Sequence, residues 1–152
     1  MAIDYDAVRA GMEQAIPFNK HLGLEIVSVA DGTGSVRLPD DPALLNHVGS
    51  QHAGGLFTAA EAASGAAFVG AFAERMGEIT PLAKAAQINY LKLAKGPILA
   101  TGTLSEDKAA LLERLDADGR VEFTIDVSLK DESGLEVSTV TVDWHVRKNK
   151  NS

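Results

Sequence analysis

The hydrophobic pattern of the first part of the chain changes from a helical period to a strand period. Residues 4–15 carry apolar positions at helical spacing and stop before Pro17, which predicts a short N-terminal helix. Residues 22–27 alternate between apolar and other side chains, and 35–38 follow the turn composition of 31–34. Together these segments predict a β-hairpin.

The next segment is the most apolar of the chain. A loop containing Pro and Gly, from Asp40 to Gln51, leads into a predicted helix over about residues 53–76. From Pro42 to Ala73 the only formally charged side chain is Glu61. The many Ala and Gly residues and the central carboxylate disfavour a membrane span. A helix that is hydrophobic nearly all round is instead expected inside a protein core.

The second half has the pattern of strands. Lys84–Leu93 and Ile98–Leu104 flank Lys95-Gly96-Pro97, a turn sequence that predicts a second hairpin. Residues 121–130 and 140–146 alternate strictly between apolar and polar side chains. This period of two indicates strands with one buried face.

The order of elements is therefore helix, two strands, one long helix and four strands. Because no strand–helix–strand alternation is present, the pattern predicts an α+β domain whose antiparallel sheet wraps around the long helix. We expect one domain over 1–152, with a core at about 18–146, the short helix at 4–15 and a basic tail at 147–152.

Composition narrows the chemistry. The 152 residues include no cysteine, so disulfides, thiolate metal sites and cysteine nucleophiles are excluded. The net charge of −7 argues against nucleic-acid binding, although Arg147, Lys148 and Lys150 leave residues 1–146 at −10. The first residues lack the pattern of a secretory signal, which favours a cytoplasmic protein. His47, His52 and Glu61 lack metal-ligand spacing, so we expect no metal and no cofactor.

Glu61 is the first candidate for chemistry. On a helical wheel it lies on the same side as a set of aromatic and small residues: Phe57, Ser64, Gly65, Phe68 and Phe72. Burying an isolated carboxylate is costly, so this group is expected to be paired, raised in pKa or placed at a cleft. A cleft would make it an acid, a base or a nucleophile. The structural alternative is a Glu that reaches solvent at a gap in the apolar face.

The loop before the helix is the second candidate. It contains Asn46, His47, Gly49, Gln51 and His52, and it leads to a helix N-terminus, whose free N–H groups stabilise an oxyanion. Asn or His could equally serve only as a helix cap. From residue 53 to residue 61 the helix rises about 12 Å, too far for both ends to serve one carbonyl. If both act together, they come from different subunits.

Lys84 suggests a partner for the carboxylate. It shares strand parity with the apolar row Leu82, Ala86, Ile88 and Tyr90. One interpretation is a lysine that reaches solvent at a strand end. The sharper hypothesis is that Lys84 pairs with Glu61 and keeps it ionised.

These residues resemble a known family. The segment Asn46 to Glu61 is similar to the N-x-x-G-x-x-H-G-G-x-[LI]-x-x-x-x-[DE] segment of hotdog-fold acyl-CoA thioesterases of the phenylacetic-acid type, without gaps over sixteen positions. Residues 88–96 resemble that family's strand and basic turn. The order of elements agrees over roughly 18–146, and the subtype is closest to an uncharacterised hotdog branch.

The resemblance implies a dimer, often paired into a tetramer, that hydrolyses acyl-CoA or acyl-carrier thioesters at the subunit interface. It implies that Glu61 is the nucleophile or the general base, that Asn46 orients water or thioester, and that the Ala53 amide is an oxyanion donor. His52 would hold the loop and could assist catalysis. Ala53 stands where the family commonly has Gly, so its methyl group could narrow the acyl entrance. Further candidates for substrate contact are Gly54, Phe57, Ser64, Lys84 and His47.

Two other functions remain open. Hotdog dehydratases and hydratases of β-hydroxyacyl thioesters use a loop His and a helix acid, and His47 precedes Glu61 by a similar fourteen residues. The Pro-Gly pair usual in their helix entry is missing here. Alternatively, the chain is a non-catalytic acyl-binding protein. A serine triad has no support, because Ser64 is not in a Gly-x-Ser-x-Gly turn.

Overall fold

The computed structural model describes residues 2–151 and contains four α-helices and six strands within that range. The helices are α1 Tyr5–Ala15, α2 Pro17–His21, α3 Ala53–Phe72 and α4 Lys108–Asp118. The strands are β1 Glu25–Ala30, β2 Thr33–Leu38, β3 Ile79–Tyr90, β4 Ile98–Leu104, β5 Arg120–Lys130 and β6 Glu136–Lys148. Short 3-10 turns occupy Pro42–Leu44 and Ala73–Glu78.

The six strands form one antiparallel sheet in the order β1-β2-β4-β5-β6-β3, with α3 packed against its concave side. This is the α+β hotdog fold that the sequence predicted. The predicted hairpin between Lys84–Leu93 and Ile98–Leu104 is wrong. β3 pairs with β6, and β4 lies between β2 and β5. The turn chemistry of Lys95-Gly96-Pro97 is present, with Gly96 at φ +73°, but it reverses the chain without joining neighbouring strands.

The long helix is the centre of the core. Its N-cap is His52, and thirteen of its twenty residues are buried. By length and composition Ala53–Glu78 could span a membrane, yet 67% of its apolar window is buried inside the fold. The predicted end near residue 76 is replaced by a 3-10 turn after Phe72.

Glycine allows this helix to approach the sheet closely. A Cβ at Gly102 of β4 would lie 2.7 Å from the Ala63 carbonyl oxygen, and one at Gly70 would overlap the Ala30 carbonyl oxygen. The small residues of α3 are therefore matched by small residues facing it. Beyond them, Phe68 stacks on Phe72 and Trp144 at centroid distances of 4.8 and 5.5 Å.

Helix α4 was not predicted from the sequence. It packs Leu111 and Leu115 into the core and caps itself with Asp107 at one end and Gly119, at φ +74°, at the other. Its residue Asp116 receives hydrogen bonds from Arg75 and an ion pair from Lys148. These contacts tie the helix to the turn after α3 and to the end of β6.

Strand β3 is one of the two edges of the sheet. It has a hydrogen-bonded neighbour, β6, on one side only. Most of its residues are exposed, and Lys84 is its one charged side chain. A β-bulge interrupts its register between Ala83 and Ala85. Long, exposed and nearly uncharged edges are surfaces on which another strand pairs.

Candidate functional site

One stripe of the buried helix is accessible. Gly54, Phe57, Glu61, Gly65 and Val69 recur at spacings of three and four, so they lie on one face of α3. The residues between them are mostly buried against the sheet. Beyond the first residues of α3, most of what the helix can offer a ligand is therefore on this stripe, and Glu61 lies at its middle.

Glu61 opens into a cavity of about 340 Å³. Its walls come from α1, α2, α3, β1, the start of β3 and the indole of Trp144, and apart from Glu61 and Asn19 the lining residues are apolar. Among residues 2–151 the carboxylate has no hydrogen bond or ion pair. Burial without a counter-charge raises the pKa of Glu61 above its ordinary value of 4.5. Of the three alternatives expected for this Glu, namely pairing, a raised pKa or a position at a cleft, the structure agrees with the last two.

The aromatic residues predicted around Glu61 separate into three environments. Phe68 lines the carboxylate cavity, and Phe72 is fully buried in the stack behind it. Phe57 points to a different cavity near the start of the helix. The sequence missed Trp144, Met12 and Pro81 as walls of the Glu61 cavity. The only available signal was that Trp144 lies on the inward parity of its strand.

Ser64 lies inside the core and not on the accessible stripe. It is fully buried, and its Oγ donates to the Glu61 carbonyl oxygen at 2.7 Å. Ser64 Oγ also accepts a hydrogen bond from Trp144 Nε1 at 3.3 Å. The side chain thus turns inward, and its contact with substrate stays a prediction. Ser64 instead holds in place the indole that forms a wall of the Glu61 cavity.

The start of α3 presents a second, separate site. His52 Nδ1 accepts from the Gly54 amide at 2.8 Å, so this ring nitrogen carries a lone pair and the histidine caps the helix. Within the described chain the Ala53 amide has no acceptor. A cavity of about 600 Å³ lies here, lined by Phe18, Leu22, His52, Gly54, Phe57 and Tyr90 among others. A free amide at the positive end of a helix is a donor for developing negative charge.

The loop before α3 is held by its own side chains. Asn46 Oδ1 accepts from the amides of Val48 and Ser50, and its Nδ2 donates to Ser50 Oγ. Asn46 thus shapes the loop, and its role in orienting water or thioester stays a prediction. Gln51 Nε2 donates to the carbonyl oxygens of Pro39 and Gly96 and braces the loop from behind.

His47 lies on the exposed outer side of the same loop. It lines neither the cavity of Glu61 nor the cavity at the helix start. Within one protomer the loop histidine and the helix acid that a dehydratase needs are therefore not brought together.

The proposed pair of Lys84 and Glu61 is not formed. Lys84 Nζ donates to both carboxylate oxygens of Glu122, at 3.0 and 3.1 Å, and both side chains are more than half exposed. The physical reason is the bulge: Lys84 is its extra residue, so the strand parity used to place it beside Leu82 is broken there. Its contact with substrate is an untested prediction.

Within residues 2–151 no group of three or more His, Asp or Glu side chains could hold a metal ion. The polar groups at the two sites include the Glu61 carboxylate, the His52 imidazole and backbone amides at the start of α3.

The sequence of the chain matches one family model, the domain of unknown function DUF4442, over residues 5–146. The chain belongs to the DUF4442 family. None of the curated proteins with which it was compared matches it.

Solved structures place this DUF4442 chain among proteins of the same fold. It is similar to PA5026 of Pseudomonas aeruginosa, a protein of unknown function described as a probable thioesterase, with 27% identity, a TM-score of 0.86 and coverage of 98% of this chain and 99% of that one. It is similar to the PaaI protein of the phenylacetic acid degradation operon of E. coli, with 20% identity, a TM-score of 0.70 and coverage of 91% of each chain.

A third relative is a mutant of a hypothetical thioesterase from Streptococcus pneumoniae TIGR4. It is 25% identical, with a TM-score of 0.65, and the match covers 83% of this chain and 91% of that one. The resemblance to the hotdog superfamily that the sequence suggested is thereby confirmed.

Proposed function

We propose that this DUF4442 protein hydrolyses an acyl thioester at two equivalent sites of a homodimer. In each site Glu61 of one subunit activates the attacking group, and the Ala53 amide of the other stabilises negative charge on the thioester oxygen. The substrate is an acyl group on coenzyme A or on a carrier protein, and the setting is the cytoplasm. The descriptions of PA5026 and the Streptococcus protein as thioesterases support the reaction class.

The observation that carries the proposal is the state of Glu61. It is the one ionisable group on the accessible stripe of a buried helix, its carboxylate has no partner in the described chain, and its pKa is raised by burial. A structural carboxylate would be paired or fully solvated, because burying it costs free energy. A carboxylate facing an apolar cavity fits a base whose pKa lies closer to neutral pH.

In the proposed dimer the two subunits pair along the free edge of β3. The start of this strand, at Pro81 to Ala83, forms part of the Glu61 cavity, and its last residue, Tyr90, donates from Oη to the Ala53 carbonyl oxygen at 3.2 Å. In an antiparallel pair around a two-fold axis near Ala86, Tyr90 of the partner subunit lies opposite Leu82. The partner's helix start is then brought to the Glu61 cavity.

Exposed apolar side chains on and beside β3 support this edge as the proposed interface. Leu82 and Tyr90 of β3 are 53% and 51% exposed, and Leu91 and Leu93 just beyond it are 49% and 61% exposed. Phe57, beside the helix start, adds a further exposed ring. An apolar patch of this kind at a sheet edge is typical of an interface between copies.

Thioester hydrolysis needs little more than these groups. Glu61 either takes a proton from a water that attacks the carbonyl carbon, or attacks that carbon itself to form an anhydride that water then cleaves. In both routes the carbonyl oxygen becomes negative near the Ala53 amide. The C–S bond then breaks, and the thiolate leaves and takes up a proton.

Thiol release from a panel of acyl-CoA thioesters tests the proposal. Because the protein has no cysteine, a thiol reagent reports only the released coenzyme A. Glu61→Gln should lower kcat by about a hundredfold or more, in the range of general-base catalysis. Glu25→Gln, which removes an exposed carboxylate paired with Arg37, is the matched control and should keep wild-type activity. No release above background from any acyl-CoA or acyl-carrier thioester would contradict the proposal.

A further inference from the structure

The cavity beside Glu61 adjoins a second cleft beneath helix α1. This cleft has a volume of about 440 Å³ and lies between α1, the C-terminal half of α3 and the turn that follows it. Met12, Ile16 and Val69 line both spaces, so the two share a boundary. From Glu61 the accessible stripe of α3 continues past Gly65 to Val69, and Ala73, one turn further along the chain, lines the second cleft.

The residues that line the second cleft are all apolar. Its eight residues are methionine, valine, isoleucine, alanine and glycine, drawn from α1, α3 and the following turn. None of these side chains is charged or donates a hydrogen bond, so a polar group placed there would lose its hydration without compensation. The fitting occupant is a saturated hydrocarbon segment.

We propose that this cleft takes the distal part of the substrate's acyl chain, and that α1 sets the chain length. The inference rests on the proposed function in one respect, that the thioester carbonyl lies at Glu61. From there the chain runs along the α3 stripe, past Gly65 and Val69, and ends under α1 near Gly11. The substrates are then unbranched acyl thioesters of medium to long chain.

The length of the path along α3 gives the expected number of carbons in the acyl chain. Glu61 to Val69 covers about 12 Å of helix, and Glu61 to Ala73 covers about 18 Å. An extended chain advances about 1.2 Å per covalent bond, as the spacing of an extended polypeptide shows. Chains of about eleven to sixteen carbons therefore fill the path, whereas about six carbons stop before the cleft beneath α1.

Two glycines keep this path open. A Cβ built on Gly65, next to Glu61, or on Gly11 of α1 meets no atom within 4 Å. The packed glycines Gly70 and Gly102 differ, because a Cβ there collides with backbone. Glycine weakens a helix, so its use at Gly11 costs α1 some stability. The missing side chain leaves room in the cleft.

Gly11→Leu is the test variant, and Ala10→Leu is its matched control. Ala10 is the exposed neighbour on the same helix and does not line the cleft. For wild type, kcat/KM should rise with chain length until the path is filled, at about eleven to sixteen carbons, by at most about fourfold per methylene. Gly11→Leu should lower kcat/KM for dodecanoyl-CoA at least about tenfold and change that for hexanoyl-CoA less than about twofold. Ala10→Leu should keep the wild-type profile.

A binding measurement separates this inference from the reaction itself. Calorimetric titration with decan-1-ol and hexan-1-ol needs no turnover, and wild type should bind decan-1-ol at least about tenfold more tightly. Gly11→Leu should abolish that preference, and Ala10→Leu should retain it. If decan-1-ol binds in this way but no thioester is cleaved, the proposed function fails and the acyl cleft stands. Equal binding of the two alcohols, or equal profiles for Gly11→Leu and Ala10→Leu, would overturn the acyl cleft.

Discussion

Trp144 Nε1 donates a hydrogen bond to Ser64 Oγ, 3.3 Å away in the core, and Ser64 lies one helical turn after Glu61. The contact joins β6 to α3, and it fixes the indole that forms part of the wall of the Glu61 cavity. The Ser64 hydroxyl has no freedom left, since it also donates to the Glu61 carbonyl oxygen. A buried serine thus links the last strand to the backbone that carries the carboxylate.

Replacing this serine should be costly. Ser64→Ala leaves the buried indole N–H without an acceptor, and we expect the free energy of unfolding to fall by about 1–3 kcal/mol. Urea denaturation measures the loss. Thr58→Ala removes a hydroxyl that likewise donates to a helix carbonyl oxygen, at Gly54, but supports no indole. Equal losses in the two variants would show that the Trp144 contact contributes nothing.

Glu61→Gln should make the protein more stable at neutral pH while it removes activity. The folded-state pKa of Glu61 is raised above 4.5, so its favourable contribution is complete below that pH and is lost as pH rises through the folded pKa. At pH 7 to 8 the buried carboxylate destabilises the fold, and a neutral amide does not. Thermal unfolding should give a higher Tm for the variant at pH 7 to 8 and a vanishing difference near pH 4. A lower Tm at neutral pH would contradict a desolvated carboxylate.

Gly65 and Gly70 lie on the same helix, and replacing each by alanine should change the free energy of unfolding in opposite directions. At Gly65 the new methyl group meets open space, and the gain in helix propensity is about 1 kcal/mol or less. At Gly70 it overlaps the Ala30 carbonyl oxygen, so α3 must move off β1. Gly70→Ala should lower the free energy of unfolding by about 1–3 kcal/mol or more. Similar unfolding midpoints in urea for the two variants would contradict the close packing of α3 on the sheet.

Asp116 should make stability depend on pH in the acid range. Hydrogen bonds from Arg75 and Lys148 lower its pKa from 3.8 to about 2. The contribution of Asp116 to the free energy of unfolding is therefore present above about pH 4 and is lost as pH falls through about 2. Asp116→Asn should reduce stability at pH 6 and flatten the pH dependence between 4 and 2, as followed by urea unfolding. Because the contact is exposed, we expect a small effect. An unchanged acid profile would show that the contact is not maintained in solution.

Much of the fold follows from local pattern. The buried helix, the alternating strands β5 and β6 and the first hairpin are each encoded by a periodicity within a few residues. The partner of β3 is not encoded in this way, because it lies some sixty residues along the chain in β6. The turn between 94 and 97 has hairpin composition, yet the pairing depends on which strands the α3 core leaves adjacent. Helix α4 was missed because its two buried leucines are a weak helical signal.

The site was predictable in position and less so in detail. A lone carboxylate in an apolar helix marks Glu61 on physical grounds, and the helix start marks Ala53. The role of Lys84 could not be predicted, since a single bulge reverses the parity of the residues that follow. The inward direction of the Ser64 hydroxyl could not be predicted, because a helical wheel gives only the side of the helix on which a residue lies.

The central claim is that Glu61 and the Ala53 amide act on one thioester from different subunits. Ala53→Pro removes the amide donor at the first position of α3, where proline is well tolerated. His52 before it has φ −65° and ψ 141°, a conformation that suits a residue preceding proline. The variant should fold, and it should lose most of its thioesterase activity, as should Glu61→Gln.

The decisive measurement is thiol release from an equal mixture of Ala53→Pro and Glu61→Gln chains, unfolded together and refolded. In a symmetric dimer half of the molecules become mixed, and one of their two sites then contains both intact groups. We expect recovery of about a quarter of wild-type activity. A mixture as inactive as either variant alone, with mixed dimers shown to form, would contradict it, because each chain would then supply its own pair.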